Sequence, residues 1–295
     1  MVRSAAHVRG LLVIAAAGIV ALSAAALARA YGWPLKPFDE QHPIRGAFDD
    51  PRLHIDPSGN EIASFHFGID ISAPGGTPVY AVAPGTVYRY RDAVAVHQGD
   101  GREFSYWHVA PAVSEHEAVR EHELLGWVKP SWGHVHFAES LDGVYENPLR
   151  PGALEPYVDT TAPTVAAIEF VAPEGLVADV YDTPPLAPPP PWQASVLMPA
   201  LVRWRIVGAT PWRTAVDFRS ALLPPERFSD VYAPGTRQNK PERPGRYLIW
   251  LSHDDDLAEG TYRVEVEAYD LAGNVGVGAS ELTIQSSSRM KRPSP

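Results

Sequence analysis

Thirty prolines and 23 glycines cut this 295-residue chain into short runs. Proline fixes φ and removes a backbone donor, and glycine favours turns, so long helices give way to short strands. The expected fold class is all-β. From Phe65 onward the runs and turns alternate closely. Pro74-Gly75-Gly76 and Pro84-Gly85 are turns, flanked by the strands Thr77–Val82 and Thr86–Tyr90. Ala93–His97 and Glu103–His108 read as a hairpin closed by Gln98-Gly99-Asp100-Gly101. Such spacing points to an antiparallel core. Before it, residues 31–52 read as an extended lead-in with one edge strand around Ile44–Phe48.

Beyond Asn147-Pro148-Leu149 the pattern restarts near Asp159. Val165–Val171, Leu176–Tyr181, Leu201–Val207, Tyr247–Leu251 and Tyr262–Tyr269 are strand-like, as are Val275–Val277 and Leu282–Ile284. The last long alternation, Tyr262–Tyr269, is the cleanest in the chain, and it runs into the turn Asp270–Asn274. Strands of this length suggest a β-sandwich. The proline run Pro184–Pro191 is excluded from a central strand and reads as an exposed loop or stiff extended segment. The expected division is 1–30 as an export segment, 31–158 as a first domain, 159–286 as a sandwich and 287–295 as a frayed tail. A fragment ending near Asp159 is expected to fold by itself.

Composition narrows the function. The net charge is −10, with acidic residues spread along the chain, which excludes nucleic acid as an expected partner. There is no cysteine, so a metal site must use His with Asp or Glu, and no disulfide or lipidated thiol is available. At the N-terminus Arg3, His7 and Arg9 precede an uncharged run through Leu27-Ala28, followed by Ala28-Arg29-Ala30. Two readings stay open: a cleaved signal peptide, or an uncleaved segment that is the chain's one expected membrane contact. Either puts the rest outside the cytoplasm: periplasmic, at the cell surface or secreted.

Four histidines and a carboxylate fall in one β-rich stretch: His66-Phe67-Gly68-Ile69-Asp70, Tyr106-Trp107-His108 and His134-Val135-His136-Phe137. Strand residues two apart share a face, so His134 and His136 are expected to point into one site while Val135 packs behind. His66 and Asp70 have matching parity, with Gly68 placed to bend the chain between them. Imidazole and carboxylate suit Zn²⁺, and three protein ligands with one open position mark a catalytic zinc.

The same pieces, with Gly76-Thr77-Pro78-Val79-Tyr80-Ala81 between them, resemble the LytM and lysostaphin-type zinc endopeptidases of bacterial peptidoglycan. The resemblance covers about residues 40–150. It implies His66, Asp70 and His136 as metal ligands. It implies His108 and His134 as catalytic groups that transfer protons or stabilise the oxyanion at the open position. The sequence departs from the family's pattern near the last strands, where His122-Glu123 and Lys129–Gly133 stand and Trp132 is bulky. Trp107, beside His108, is also large, so the groove that reads substrate is expected to differ. The stretch Gly260–Asn274 looks like bacterial immunoglobulin-like or fibronectin-type modules, which implies a spacer or adhesion role by analogy.

His54, His97, His116 and His122 lie outside these motifs and are expected to be dispensable for metal. Ser114–Glu123 reads as a solvated loop or short helix, and His253–Asp256 as a solvated turn. The expectation is an antiparallel β-sheet metallopeptidase core followed by an immunoglobulin-like sandwich. It is an exported, Zn²⁺-dependent endopeptidase acting on peptidoglycan stems or cross-bridges. The alternative is a non-catalytic wall-binding or hydrolase-activating protein that retains the fold; retention of all five site residues favours the enzyme.

Overall fold

The structure is a computed structural model that describes residues 30–171, 175–253 and 259–284. The expected export segment, the Asp254–Asp256 run and the C-terminal tail lie outside these residues. Strands dominate as expected. The two helical turns among the described residues, Pro225–Arg227 and Phe228–Val231, are adjacent and short.

In the first half the strands are β1 (Ile44–Gly46), β2 (Pro51–Ile55), β3 (Glu61–Phe65), β4 (Ile69–Ser72), β5 (Pro78–Tyr80), β6 (Gly85–Arg89) and β7 (Ala93–His97). Then come β8 (Arg102–Trp107), β9 (Val109–Pro111), β10 (Ala118–Val119), β11 (Leu124–Val128), β12 (His134–Leu141) and β13 (Val144–Glu146). The main sheet runs β1-β4-β12-β8-β7-β6-β10, with β13 paired to β12. A three-stranded sheet, β5-β11-β9, carries Val79, Leu125 and Val109 into the same core as Val87, Val94, Phe104, Tyr106, Val135 and Phe137.

β12 is the axis of this half. It pairs antiparallel with β4 on one side and β8 on the other, and His136 stands opposite both Asp70 and Trp107. One face of β12 sends Val135 and Phe137 into the core; the other carries His134 and His136. Beneath the core face, Glu139 is fully buried. It accepts hydrogen bonds from Tyr31 Oη at 2.6 Å and from Arg150 at 2.7 and 2.9 Å, and pairs with Arg102. A buried carboxylate survives only with such partners, and here they tie the lead-in and residue 150 to the middle of the sheet.

β1 takes the edge position expected for it. The β2–β3 hairpin was not expected. Its strands are mostly exposed or half-buried, so they carry no hydrophobic alternation; the turn Asp56–Asn60, with Asp56 accepting from Ser58 and Asn60, is its sequence signal. Ser114–Glu123 is a largely exposed loop with the two-residue β10 and no helix.

The second half comprises β14 (Thr164–Val171), β15 (Gly175–Tyr181), β16 (Leu201–Ile206), β17 (Arg213–Asp217), β18 (Leu248–Ser252), β19 (Gly260–Tyr269) and β20 (Val275–Ile284). These form two antiparallel sheets, β14-β15-β18 and β17-β16-β19-β20. Between them lie Leu176, Val202, Trp204, Ile249, Val264 and Val266. β17 was not expected, and β20 is one strand where two short ones were read. Its residues alternate exposed and half-buried, as an edge strand's do, and its glycines dilute the apolar signal.

The two cores exchange side chains. Phe65 of β3 packs in the second core, against Phe218, Phe228 and Tyr232, while Leu197 packs in the first. Polar contacts join the halves as well. Met198 N donates to Asp50 Oδ1 at 3.0 Å, Leu53 N to Gln238 Oε1 at 2.7 Å, and Tyr232 Oη to Asp49 O at 2.6 Å.

Candidate metal centre

His66 lies in the irregular link between β3 and β4, and Asp70 lies on β4, so the expected shared strand face does not exist. The link replaces it. A Cβ at Gly68 would stand 2.3 Å from Phe137 O, 2.9 Å from Ala138 Cβ and 3.0 Å from His136 Cε1. Only glycine lets this link press against β12, which brings His66 up to His136.

His66 Nε2, His136 Nδ1 and Asp70 Oδ1 converge. His66 Nε2 to His136 Nδ1 is 2.7 Å, and each is 3.2 Å from Asp70 Oδ1. Ligand atoms held at about 2.0–2.2 Å around one tetrahedral ion stand roughly 3.3–3.6 Å apart, so the triangle needs only slight expansion to take one. The ring orientations agree. His66 Nδ1 lies 2.7 Å from Ala47 O and donates to it, which leaves the Nε2 lone pair facing the other two donors. Burial holds His66 below the usual imidazole range and pushes His136 down to about 3, favouring neutral rings. Burial opposes ionisation of Asp70, but His66, His134 and Arg52 outweigh it and hold the carboxyl well below its usual range. Neutral imidazoles and an ionised carboxylate are the forms that ligate a metal. Without a cation, three inward-facing lone pairs would repel one another.

His108 follows β8 with φ of 66°. Strand alternation alone would put it on the face of Tyr106, which is buried in the core with its hydroxyl accepting from Val82 N. The left-handed residue breaks that alternation, and Trp107 and His108 both line the cavity. The His108 ring stacks on Trp132 with centroids 3.6 Å apart and planes 10° apart; it lies 4.7 Å from the His134 ring. Burial, aided by His134 and His136, pushes it down to about 3. Its Nδ1 is buried without a hydrogen-bond partner among the described residues. His134 Nε2 is 3.4 Å from Asp70 Oδ1, so this imidazole borders the triangle. All five sequence-derived candidates therefore line one cavity of about 400 Å³.

The bulky residues expected to alter the groove are in its wall. Trp132 is 43% exposed, with one part of its ring facing solvent and one face stacked on His108. His54, His97, His116 and His122 are absent from the cavity lining. His97 pairs with Glu103 at 2.6 Å, and His122 stacks on Phe38.

The lining residues that sequence reasoning missed include Arg45, Arg52, Trp192, Gln238 and Asn239. Arg52 Nη2 donates to Asp70 Oδ2 at 3.0 Å, fixing the carboxylate while Oδ1 faces the triangle. Trp192 ends the proline run, and Gln238 and Asn239 precede β18, so their distance in sequence from the histidines hid them. A lone tryptophan closing a stiff proline segment was the one available signal. Asn239 is saturated. The two protons of its Nδ2 are shared among Val196 O at 2.7 Å and Arg45 O and Tyr247 Oη at 3.2 Å each, while its Oδ1 accepts from Val196 N and Gly245 N.

A second carboxylate group, Asp159, Asp182 and Asp270, lies buried at the start of the second half. Burial and mutual repulsion raise Asp182 to about 8 and raise Asp159.

Residues 64–148 match peptidase family M23. The chain is 32% identical over 94 residues to the DD-carboxypeptidase/endopeptidase Mpg of Neisseria meningitidis serogroup B, and to the same degree to its Neisseria gonorrhoeae counterpart. That match covers 28% of this chain and only 22% of those relatives' length. Among solved structures, a zinc-containing peptidase from Vibrio cholerae is 22% identical with a TM-score of 0.32, covering 39% of this chain and 37% of that one. The catalytic domain of the prophage-encoded M23 protein EnpA from Enterococcus faecalis, solved as a point mutant, is 25% identical with a TM-score of 0.29, covering 40% and 89%. The four histidines and Asp70 that meet in one cavity all fall within residues 64–148, the stretch that is similar to peptidase family M23.

Proposed function

We propose that this chain is an exported zinc-dependent endopeptidase that hydrolyses peptide bonds in peptidoglycan stems or cross-bridges. The observation that carries the reading is the convergence of His66 Nε2, His136 Nδ1 and Asp70 Oδ1 within 3.2 Å of one another, beside two further imidazoles. His66, Asp70 and His136 would hold the zinc. Bound there, zinc supplies an acidic water with a pKa near 7. His108 and His134 do the remaining work: one takes a proton, and the other stabilises charge or delivers a proton to the leaving amine. Arg52 keeps Asp70 ionised and oriented. The cavity walls of Trp107, Trp132 and Phe67 exclude water from the faces of these rings and give an extended chain a flat apolar surface.

The proposal includes residues 1–30 as the export segment, cleaved or anchoring, and residues 159–286 as an immunoglobulin-like sandwich. The experiment is metal analysis of the purified full chain beside release of new amino groups from peptidoglycan. One zinc per chain with amine release is the expected result. Zinc without any release from peptidoglycan or glycine-rich peptides overturns the enzyme in favour of a wall-binding protein.

A further inference from the structure

Arg45 sits in the wall of the cavity, 8% exposed, in the middle of strand β1 at the edge of the main sheet. The nearby carboxylates, Asp70 and Asp50, are taken by Arg52. Arg45 instead places Nη2 2.7 Å from His134 Nδ1. A guanidinium only donates and does not deprotonate in proteins. Nδ1 must therefore present a lone pair, because a proton there would set two N–H groups head to head. The 2.9 Å approach of Nδ1 to Trp132 O cannot then be a hydrogen bond; that carbonyl accepts instead from Arg45 Nη2, 3.4 Å away. A neutral His134 consequently carries its proton on Nε2, the nitrogen that faces Asp70 and the triangle.

Arg45 is held in this pose from the second half of the chain. Its guanidinium carbon lies 3.9 Å from the centroid of the Trp192 ring, a stacking that suits a planar cation and compensates part of its desolvation. Its carbonyl accepts from Asn239 Nδ2 at 3.2 Å.

We propose that Arg45, clamped by Trp192 and Asn239, is a positioning residue that fixes His134 as a hydrogen-bond donor toward the reacting centre. His134 then stabilises developing negative charge, and His108 is the group left to accept the proton. The second half of the chain thereby takes part in the chemistry through one arginine. The kinetic part of this inference rests on the peptidase reading, whereas the tautomer does not.

The test uses the zinc-loaded full chain labelled with ¹⁵N in histidine, read by two-bond ¹H–¹⁵N correlation of the His134 ring. The wild type is expected to show a protonated Nε2 and an acceptor Nδ1. In Arg45→Met, Nδ1 is free to donate to Trp132 O, and the proton is expected to move there. Zinc content stays, KM stays within about twofold, and kcat falls about 10- to 100-fold, the usual cost of losing such a support. Arg45→Lys, which can donate but not stack, is expected between the two. Trp192→Ala should shift the tautomer in the same direction, and Trp192→Phe should restore it. An unchanged tautomer in Arg45→Met overturns the proposal, as does loss of zinc from both Arg45 variants, which would make Arg45 a support of the ligands. If the wild type cleaves nothing, the tautomer comparison still decides the role of Arg45, so the two readings fail separately.

Discussion

Arg45 and Trp192 stand 147 positions apart in sequence, yet the Arg45 guanidinium carbon lies 3.9 Å from the Trp192 ring centroid, in the wall of the candidate metal cavity. The contact joins the half that supplies the imidazoles to the half that supplies none. Together with Phe65 in the second core and Leu197 in the first, it makes the junction part of the site. The expected self-sufficiency of a fragment ending near Asp159 has to be judged against that junction.

The proposed ligand set should separate from the proposed catalytic pair by metal content. His66→Ala, Asp70→Ala and His136→Ala each remove one of three converging donors and should leave far less than one zinc per chain. His108→Ala and His134→Ala should keep near-normal zinc while losing about 10²–10⁴ in kcat. Elemental analysis beside turnover on peptidoglycan checks both, and zinc loss in either of the last two variants would move that histidine into the ligand set.

Gly68→Ala should fail for a steric reason. Its Cβ would meet Phe137 O at 2.3 Å, so either the His66 link or β12 must move. Lower stability and lost zinc are expected together. Gly99→Ala is the control: nothing lies within 4 Å of its Cβ position, and it should behave as the wild type. A stable, zinc-replete Gly68→Ala protein would show that the link is not set by this contact.

Phe65→Ala removes the ring that β3 lends to the second core, immediately before His66. A buried Phe→Ala change costs about 3–5 kcal/mol. We expect that loss in denaturant unfolding, accompanied by weaker zinc retention against a chelator because the neighbouring ligand loses its anchor. Unaltered zinc retention would uncouple the junction from the site.

Stability should fall as pH rises through the range set by Asp49. Burial raises its carboxyl to about 8 against the opposing hydrogen bond from Leu223 N, and Oδ2 has no partner among the described residues. A raised folded pKa means the folded state holds the proton longer than the unfolded state. The group's contribution is therefore intact below about pH 4 and is lost progressively up to about pH 8, at no more than about 1.4 kcal/mol per pH unit. Asp49→Asn, at a φ of 63° that asparagine tolerates, should flatten this slope and raise stability at pH 8. Denaturant midpoints at pH 5 and pH 8 decide it; an unchanged slope would mean that Asp49 is ionised in the folded chain.

The sequence carried the short-strand architecture, because proline, glycine and period-two alternation are local signals. It carried His134 and His136 as a pair on one face for the same reason: on a regular strand, spacing alone decides direction. His66, Asp70 and His108 were legible as motif residues, but their convergence was not. It depends on a close approach at Gly68 and on a left-handed backbone at His108, both of which oppose simple parity. The exposed β2–β3 hairpin left no alternation to read. Arg45, Arg52 and Asn239 were silent in sequence, and Trp192 was marked only by its place after the proline run, because their roles are relations across the chain. An arginine on a short edge strand and a tryptophan after a proline run acquire meaning only when the two cores pack together and place them on one cavity.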